Sequence, residues 1–211
     1  MIRLSIVILC AVACVGTSPA RAQESLYRTR QLSAGAELFT FVPSGSAFRT
    51  NYAQSLFVGS ARIPIGLSLF GRYQYSPRVA ITVGIGWSKA LADENNNIAW
   101  SITSLTFGAL YCLPRSIITL PNSMLSGGIS LGIYPASFSA TFPSVNGMIT
   151  DKQSRLGYGL RCSAMVDHRV TRAMTAGVAL HFDINTFGDT DRGGWGNLGG
   201  LSVALRWSVT P

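Results

Sequence analysis

The chain has 211 residues, about one domain's worth, with 47% hydrophobic residues and only 12% charged ones, half the charged share of an ordinary globular domain. That composition argues against a soluble exterior and calls for a different solvent. Lysine and arginine number 17 against 9 acidic residues, but the arginines are scattered along the chain and form no patch, which argues against a nucleic-acid surface. Attraction to anionic lipid head groups is the reading that fits the balance.

Residues 1–22 read as a cleaved secretory signal. Arg3 supplies a short basic region, Leu4 to Val15 an apolar stretch, and Ala20-Arg21-Ala22 a small-x-small site before Gln23. The apolar stretch is shorter than the roughly 20 residues a spanning helix needs. Lipoprotein processing at Cys14 is the alternative, although Ala11-Val12-Ala13-Cys14 lacks the usual leucine.

Eight segments with period-two alternation follow: 31–41, 63–75, 79–89, 100–113, 124–134, 156–166, 173–184 and 198–209. Glycine recurs inside them and none has a helical period, so strands are expected. Long connections (42–62, 90–99, 135–155, 185–197) alternate with short ones (76–78, 114–123, 167–172). Strict alternation predicts an all-β, eight-stranded, antiparallel up-and-down barrel, with tight turns at one rim and long connections at the other.

The two faces of each strand decide its solvent. In the third segment Val79, Ile81, Val83, Ile85 and Trp87 oppose Ala80, Thr82, Gly84, Gly86 and Ser88. The second sets Ile65, Leu67, Leu69, Tyr73 and Tyr75 against Gly66, Ser68, Phe70, Arg72 and Gln74. In the fifth and eighth segments the second face is again Gly, Ser, Ala and Arg. Small residues suit the crowded interior of a narrow barrel, so the bulky face meets lipid and the sheet must close on itself. Aromatic residues cluster at both ends: Tyr73, Tyr75, Tyr111 and Trp207 towards the short turns, and Trp87, Trp100, Tyr134, Tyr158 and Phe182 towards the long connections. Two interfacial girdles are expected.

With its leader, eight alternating strands and about 190 residues beyond the leader, the chain resembles the small outer-membrane β-barrel proteins of Gram-negative bacteria, the class that includes the OmpA membrane domain and OmpX. YQYSPRVAITVGIGWSKA and GLRCSAMVDHRVTRAMTAGVALHF carry the resemblance best. It implies export through the signal peptide, the cell outer membrane as location, short turns in the periplasm, and long loops outside. One departure is the C-terminus, Val209-Thr210-Pro211, where the class usually ends in an aromatic residue.

The inward face carries few ionisable groups: Glu37, Arg72, Arg161, His181, Asp183 and Arg206. An unpaired charge in a narrow lumen is strongly destabilising, so Glu37 is expected to pair with Arg72 or Arg206, with Arg161 joining. That cluster reads as an interior plug or as a gate. His181 with Asp183 forms a possible rim site for a lipid-modifying enzyme, although a nucleophile must come from another strand. His168 falls in a short turn. Asp189 and Asp191 make an incomplete calcium loop, Gly84-x-Gly86 lies inside a strand and is no nucleotide loop, and Cys112 and Cys162 fall on non-adjacent strands as separate thiols. No cofactor or metal is expected.

The reading that results is a non-enzymatic outer-membrane barrel acting in structure or surface interaction, with outer-membrane lipids and lipopolysaccharide as surroundings. An extracellular ligand is expected at loops 42–62 and 135–155, above all near Phe138 and Phe142. A narrow, mostly closed pore for small solutes is the alternative, and a lipid-modifying enzyme comes third.

Overall fold

The computed structural model describes residues 29–44, 65–91, 98–113, 122–145, 147–188 and 196–211. The leader, nearly all of connection 42–62 and the aspartates at 189 and 191 lie outside them. Eight strands follow in chain order: β1 (Gln31–Ser44), β2 (Ile65–Gln74), β3 (Val79–Leu91), β4 (Ile98–Cys112), β5 (Ser123–Ser144), β6 (Gly147–Arg169), β7 (Met174–Thr186) and β8 (Asn197–Val209). Each pairs antiparallel with its chain neighbours, and β8 returns to β1 to close the barrel. The seam runs from Ala34 opposite Val209 to Ser44 opposite Gly199. Closure leaves the barrel wall no open sheet edge.

The faces fall as the alternation requires. Leu67, Leu69, Val83, Ile85, Phe107, Leu131, Val203 and their outward neighbours are exposed, whereas Ser68, Arg72, Ser88, Ser104, Ser130, Ser202 and Arg206 are buried. This inverts a water-soluble protein. From Val79 to Trp87 the outward side chains of β3 span about 20–25 Å once strand tilt is allowed for, the height of a barrel's apolar band. Tyr73, Tyr75, Tyr111 and Trp207 point outward at the short-turn end, with Trp87, Tyr158 and Phe182 outward at the other.

Three expectations need correction. Trp100 and Tyr134 belong to no girdle: both face inward, at 4% and 2% exposure. Residues 135–155 are not a loop. There β5 and β6 continue as a two-stranded hairpin up to the rung Ser144–Gly147, favoured by the strand formers Phe138, Thr141, Ile149 and Thr150. Finally, β6 runs on to Arg169, so Asp167 and His168 lie on a strand and not in a turn.

Aromatic side chains of the inner face rest on glycines. A Cβ on Gly66 would collide with the Phe39 ring, and one on Gly200 with the Phe41 ring. The small inner residues are thus the floor on which rings lie. Pro135 interrupts the β4–β5 ladder, which skips from Ile102–Ala136 to Leu105–Ile133, because proline has no amide hydrogen to donate.

Candidate functional site

Charged groups fill the lumen from the short-turn end to mid-height. Glu37 on β1 stands directly opposite Ser68 on β2 and Arg206 on β8. Its carboxylate accepts from Ser68 Oγ at 3.0 Å and lies 3.5 Å from Arg206 Nη1. The expected pairing with Arg206 is therefore present, while Arg72 goes elsewhere. Arg72 Nη1 is 3.3 Å from Asp167 Oδ2 across the lumen, and Arg206 Nε is 3.2 Å from Asp167 Oδ1. Asp167 thus bridges two arginines, with all three side chains at 3% exposure or less.

Other contacts complete this lower layer. Arg72 Nε and Nη2 donate to Gln74 Oε1 at 3.2 and 3.0 Å. The Arg206 guanidinium lies 4.3 Å from the centre of the Phe70 ring, a cation–π contact, and also touches Met165 Sδ. Sequence reasoning missed Asp167 because the local sequence Asp167-His168-Arg169 reads as a turn. Its place at the same parity as Arg161 is the signal that identifies it.

Arg161 and Asp183 face each other on β6 and β7. Arg161 Nε donates to Asp183 Oδ1 at 2.8 Å and Nη2 to Oδ2 at 3.2 Å, a bidentate pair. Tyr134 also donates to Asp183 at 3.2 Å. Asp183 is therefore committed to Arg161 and does not orient His181. Three arginines and three carboxylates together leave the lumen near neutrality, as burial demands.

His181 instead meets Ser163, its partner on β6. Ser163 Oγ and His181 Nδ1 are 2.8 Å apart, and His181 Nε2 lies 3.4 Å from Glu37 Oε2. The missing serine of the sequence reading is thus supplied, in the order serine, histidine, acid. The surrounding cavity holds about 50 Å³ and is lined by Ser68, Ser104, Ser130, Ser163, Arg161 and Arg206 among others. A second, of about 30 Å³, lies against Phe41, Tyr134 and Asn185. At roughly 10–15 Å³ per water, these spaces suit a few waters. The serine, histidine and acid thus line a space of water size within the lumen.

Above this level the interior turns apolar. Phe41, Trp100, Ile102, Tyr134, Phe187 and Leu198 form one buried cluster, with Phe39 and Phe138 against it. The Phe41 and Trp100 rings stack, their centres 6.1 Å apart. His168 bonds Ser123 Oγ through Nδ1 at 2.9 Å. Cys112 and Cys162 are free thiols. Among the described residues, no three His, Cys, Asp or Glu side chains gather as metal ligands.

Outside the barrel stands the β5–β6 hairpin. Beyond the rung Tyr158–Thr186, β6 pairs with β5 alone among the described residues, and residues 147–156 are all exposed. Asp151, Lys152 and Arg155 are its charged groups. Gly147, opposite Ser144 at the hairpin's end, has a φ of +114°, a backbone conformation that glycine adopts readily, and is the mark that the sequence reading passed over.

No family model matches the chain, and no curated protein does. Among solved structures, Ail, the attachment invasion locus protein of Yersinia pestis, aligns over 87% of this chain and 100% of its own, with 12% identity and a TM-score of 0.53. The outer membrane protein OprG from Pseudomonas aeruginosa covers 89% and 99%, at 10% identity and a TM-score of 0.55. Neisserial surface protein A covers 84% and 96%, at 14% identity and 0.53. At such identities likeness speaks for the fold. Together with the lipid-facing exterior, it makes this chain's fold that of the small eight-stranded outer-membrane β-barrels.

Proposed function

We propose that this is a non-enzymatic protein of a Gram-negative outer membrane whose task is contact with material outside the cell. The observation that carries the reading is the β5–β6 hairpin. It continues two barrel strands into solvent, exposes every residue from 147 to 156 and leaves one backbone edge of β6 unpaired by any described strand. Such an edge, carrying Lys152 and Arg155, presents backbone and cationic groups for recognition. Short turns then face the periplasm, the signal peptide is removed, and outer-leaflet lipid, including lipopolysaccharide, surrounds the upper girdle.

A structure of Ail in complex with the heparin analogue sucrose octasulfate, with a TM-score of 0.54 to this chain, supplies a first probe. Cells displaying the full barrel are compared with cells whose residues 141–150 are replaced by Asn-Gly, scoring adhesion to immobilised heparin and to epithelial monolayers. Loss of adhesion with the barrel still folded supports the reading. Equal adhesion on every surface overturns it.

The narrow-pore reading is favoured by one observation, the stacked cavities of about 50 and 30 Å³ within the lumen. Planar-bilayer conductance tests it: discrete steps that enlarge in Glu37→Ala make the charged layer a gate. A folded, silent barrel removes this alternative.

A further inference from the structure

Charge is unevenly distributed over the described residues. The lumen holds three arginines and three carboxylates. Among the described residues, the side of the long connections carries Lys89, Lys152 and Arg155 against Asp151. The short-turn side carries four described arginines and no described Asp or Glu side chain. Most of the positive excess of the described residues therefore stands at one rim.

These arginines are Arg30, Arg78, Arg169 and Arg172. Arg78 and Arg172 are exposed in turns held by hydroxyls. Ser76 Oγ accepts from the amides of Arg78 and Val79 at 3.3 and 3.1 Å. Thr171 Oγ1 accepts from those of Ala173 and Met174 at 3.3 and 3.0 Å. Arg30 is exposed where β1 begins, its amide bonded to Gln74 O at 2.7 Å. The backbone of these turns is thus closed without the guanidinium groups.

Depth identifies what the guanidinium groups meet. Tyr73, Tyr75, Tyr111 and Trp207 point outward at the same end, and such rings sit at head-group level. Arg78 lies three residues beyond Tyr75, within about 10 Å along the chain. Turns this short do not project to a distant soluble partner. Arginine binds phosphate oxygens through a planar fork, and its apolar stem lies along the hydrocarbon boundary.

We infer that the short-turn rim is a binding surface for anionic phospholipid head groups of the leaflet it faces. The barrel then recruits its own lipid annulus on that side.

The test uses the mature protein refolded in phosphatidylcholine bilayers with trace spin-labelled phosphatidylglycerol or phosphatidylcholine. Electron spin resonance reads the relative association of each lipid with the barrel. Phosphatidylglycerol should be favoured about five-fold or more, the worth of one or more arginines at an anionic surface. The preference should fall towards unity in R30Q/R78Q/R172Q and in 1 M salt, and persist in K89Q/K152Q. Heat-modifiable migration verifies folding, and R78Q alone, with a partial loss, serves if the triple variant does not fold. Equal association in the wild type overturns the inference, as does a preference that survives R30Q/R78Q/R172Q or disappears in K89Q/K152Q. Full competition by soluble inorganic phosphate or peptidoglycan fragments at matched ionic strength would assign the surface to a soluble anion and also overturn it.

Discussion

The lower and upper halves of the lumen are built on the same strands with the same alternation, yet they are closed by opposite chemistry. Below Glu37 the interior is sealed by charge, with Asp167 joining Arg72 and Arg206 across the barrel. Above Arg161 it is sealed by rings, with Phe41 on Trp100 over a bed of glycine. The two solutions differ in tolerance. A ring cluster loses stability in proportion to the volume removed, whereas a buried ion network fails sharply when one member leaves its partner uncompensated.

Asp167→Ala should break the comparison most visibly. It leaves Arg72 and Arg206 buried without their shared carboxylate, at a cost of about 3–5 kcal/mol. A urea titration of the refolded barrel, followed by gel mobility, reads the loss, and a wild-type midpoint would refute a charge-sealed floor.

Trp100→Ala removes the largest ring of the upper seal and should cost about 3 kcal/mol. Combined with Asp167→Ala the losses should add, since Trp100 pairs beside Phe138 at the long-connection end and Asp167 beside Met124 at the other. A coupling above about 1 kcal/mol would mean that the halves are not separate units.

Glu37→Ala should lower stability by less, about 2 kcal/mol, because Arg206 keeps Asp167 and the Phe70 ring. The same titration ranks it against Asp167→Ala, and a reversed order would shift the centre of the network to Glu37. Ser163→Ala is the mildest change, about 1 kcal/mol, the worth of one neutral hydrogen bond to His181. A loss as large as that of Asp167→Ala would show that His181 depends on Ser163 for more than one bond.

Much of this was legible because a strand period of two is hard to disguise. Leu67 and Ser68 declare their faces without any tertiary information, and Glu37 with Arg206 follows once β8 must close on β1. Asp167 was hidden because the length of β6 is set by pairing with β5 and β7, not by its own residues. Tyr134 shows a different failing. It shares parity with Gly128, Ser130 and Gly132, and that count outranks its position at a strand end. The outer hairpin had its clearest mark in Gly147, overshadowed by the Phe, Ser and Pro residues around it.

The two cysteines give the barrel a pair of native reporters. Cys112 is nearly sealed from solvent, with Arg72 Nη2 3.1 Å from its sulfur. Cys162 stands between Ile129 and Phe182, in the row of side chains that faces hydrocarbon. A bilayer-soluble thiol reagent should therefore label the wall while the floor stays silent, and a water-soluble one should reach Cys112 only when the ion network opens. Without a single engineered label, the chain can announce which of its two surfaces has come undone.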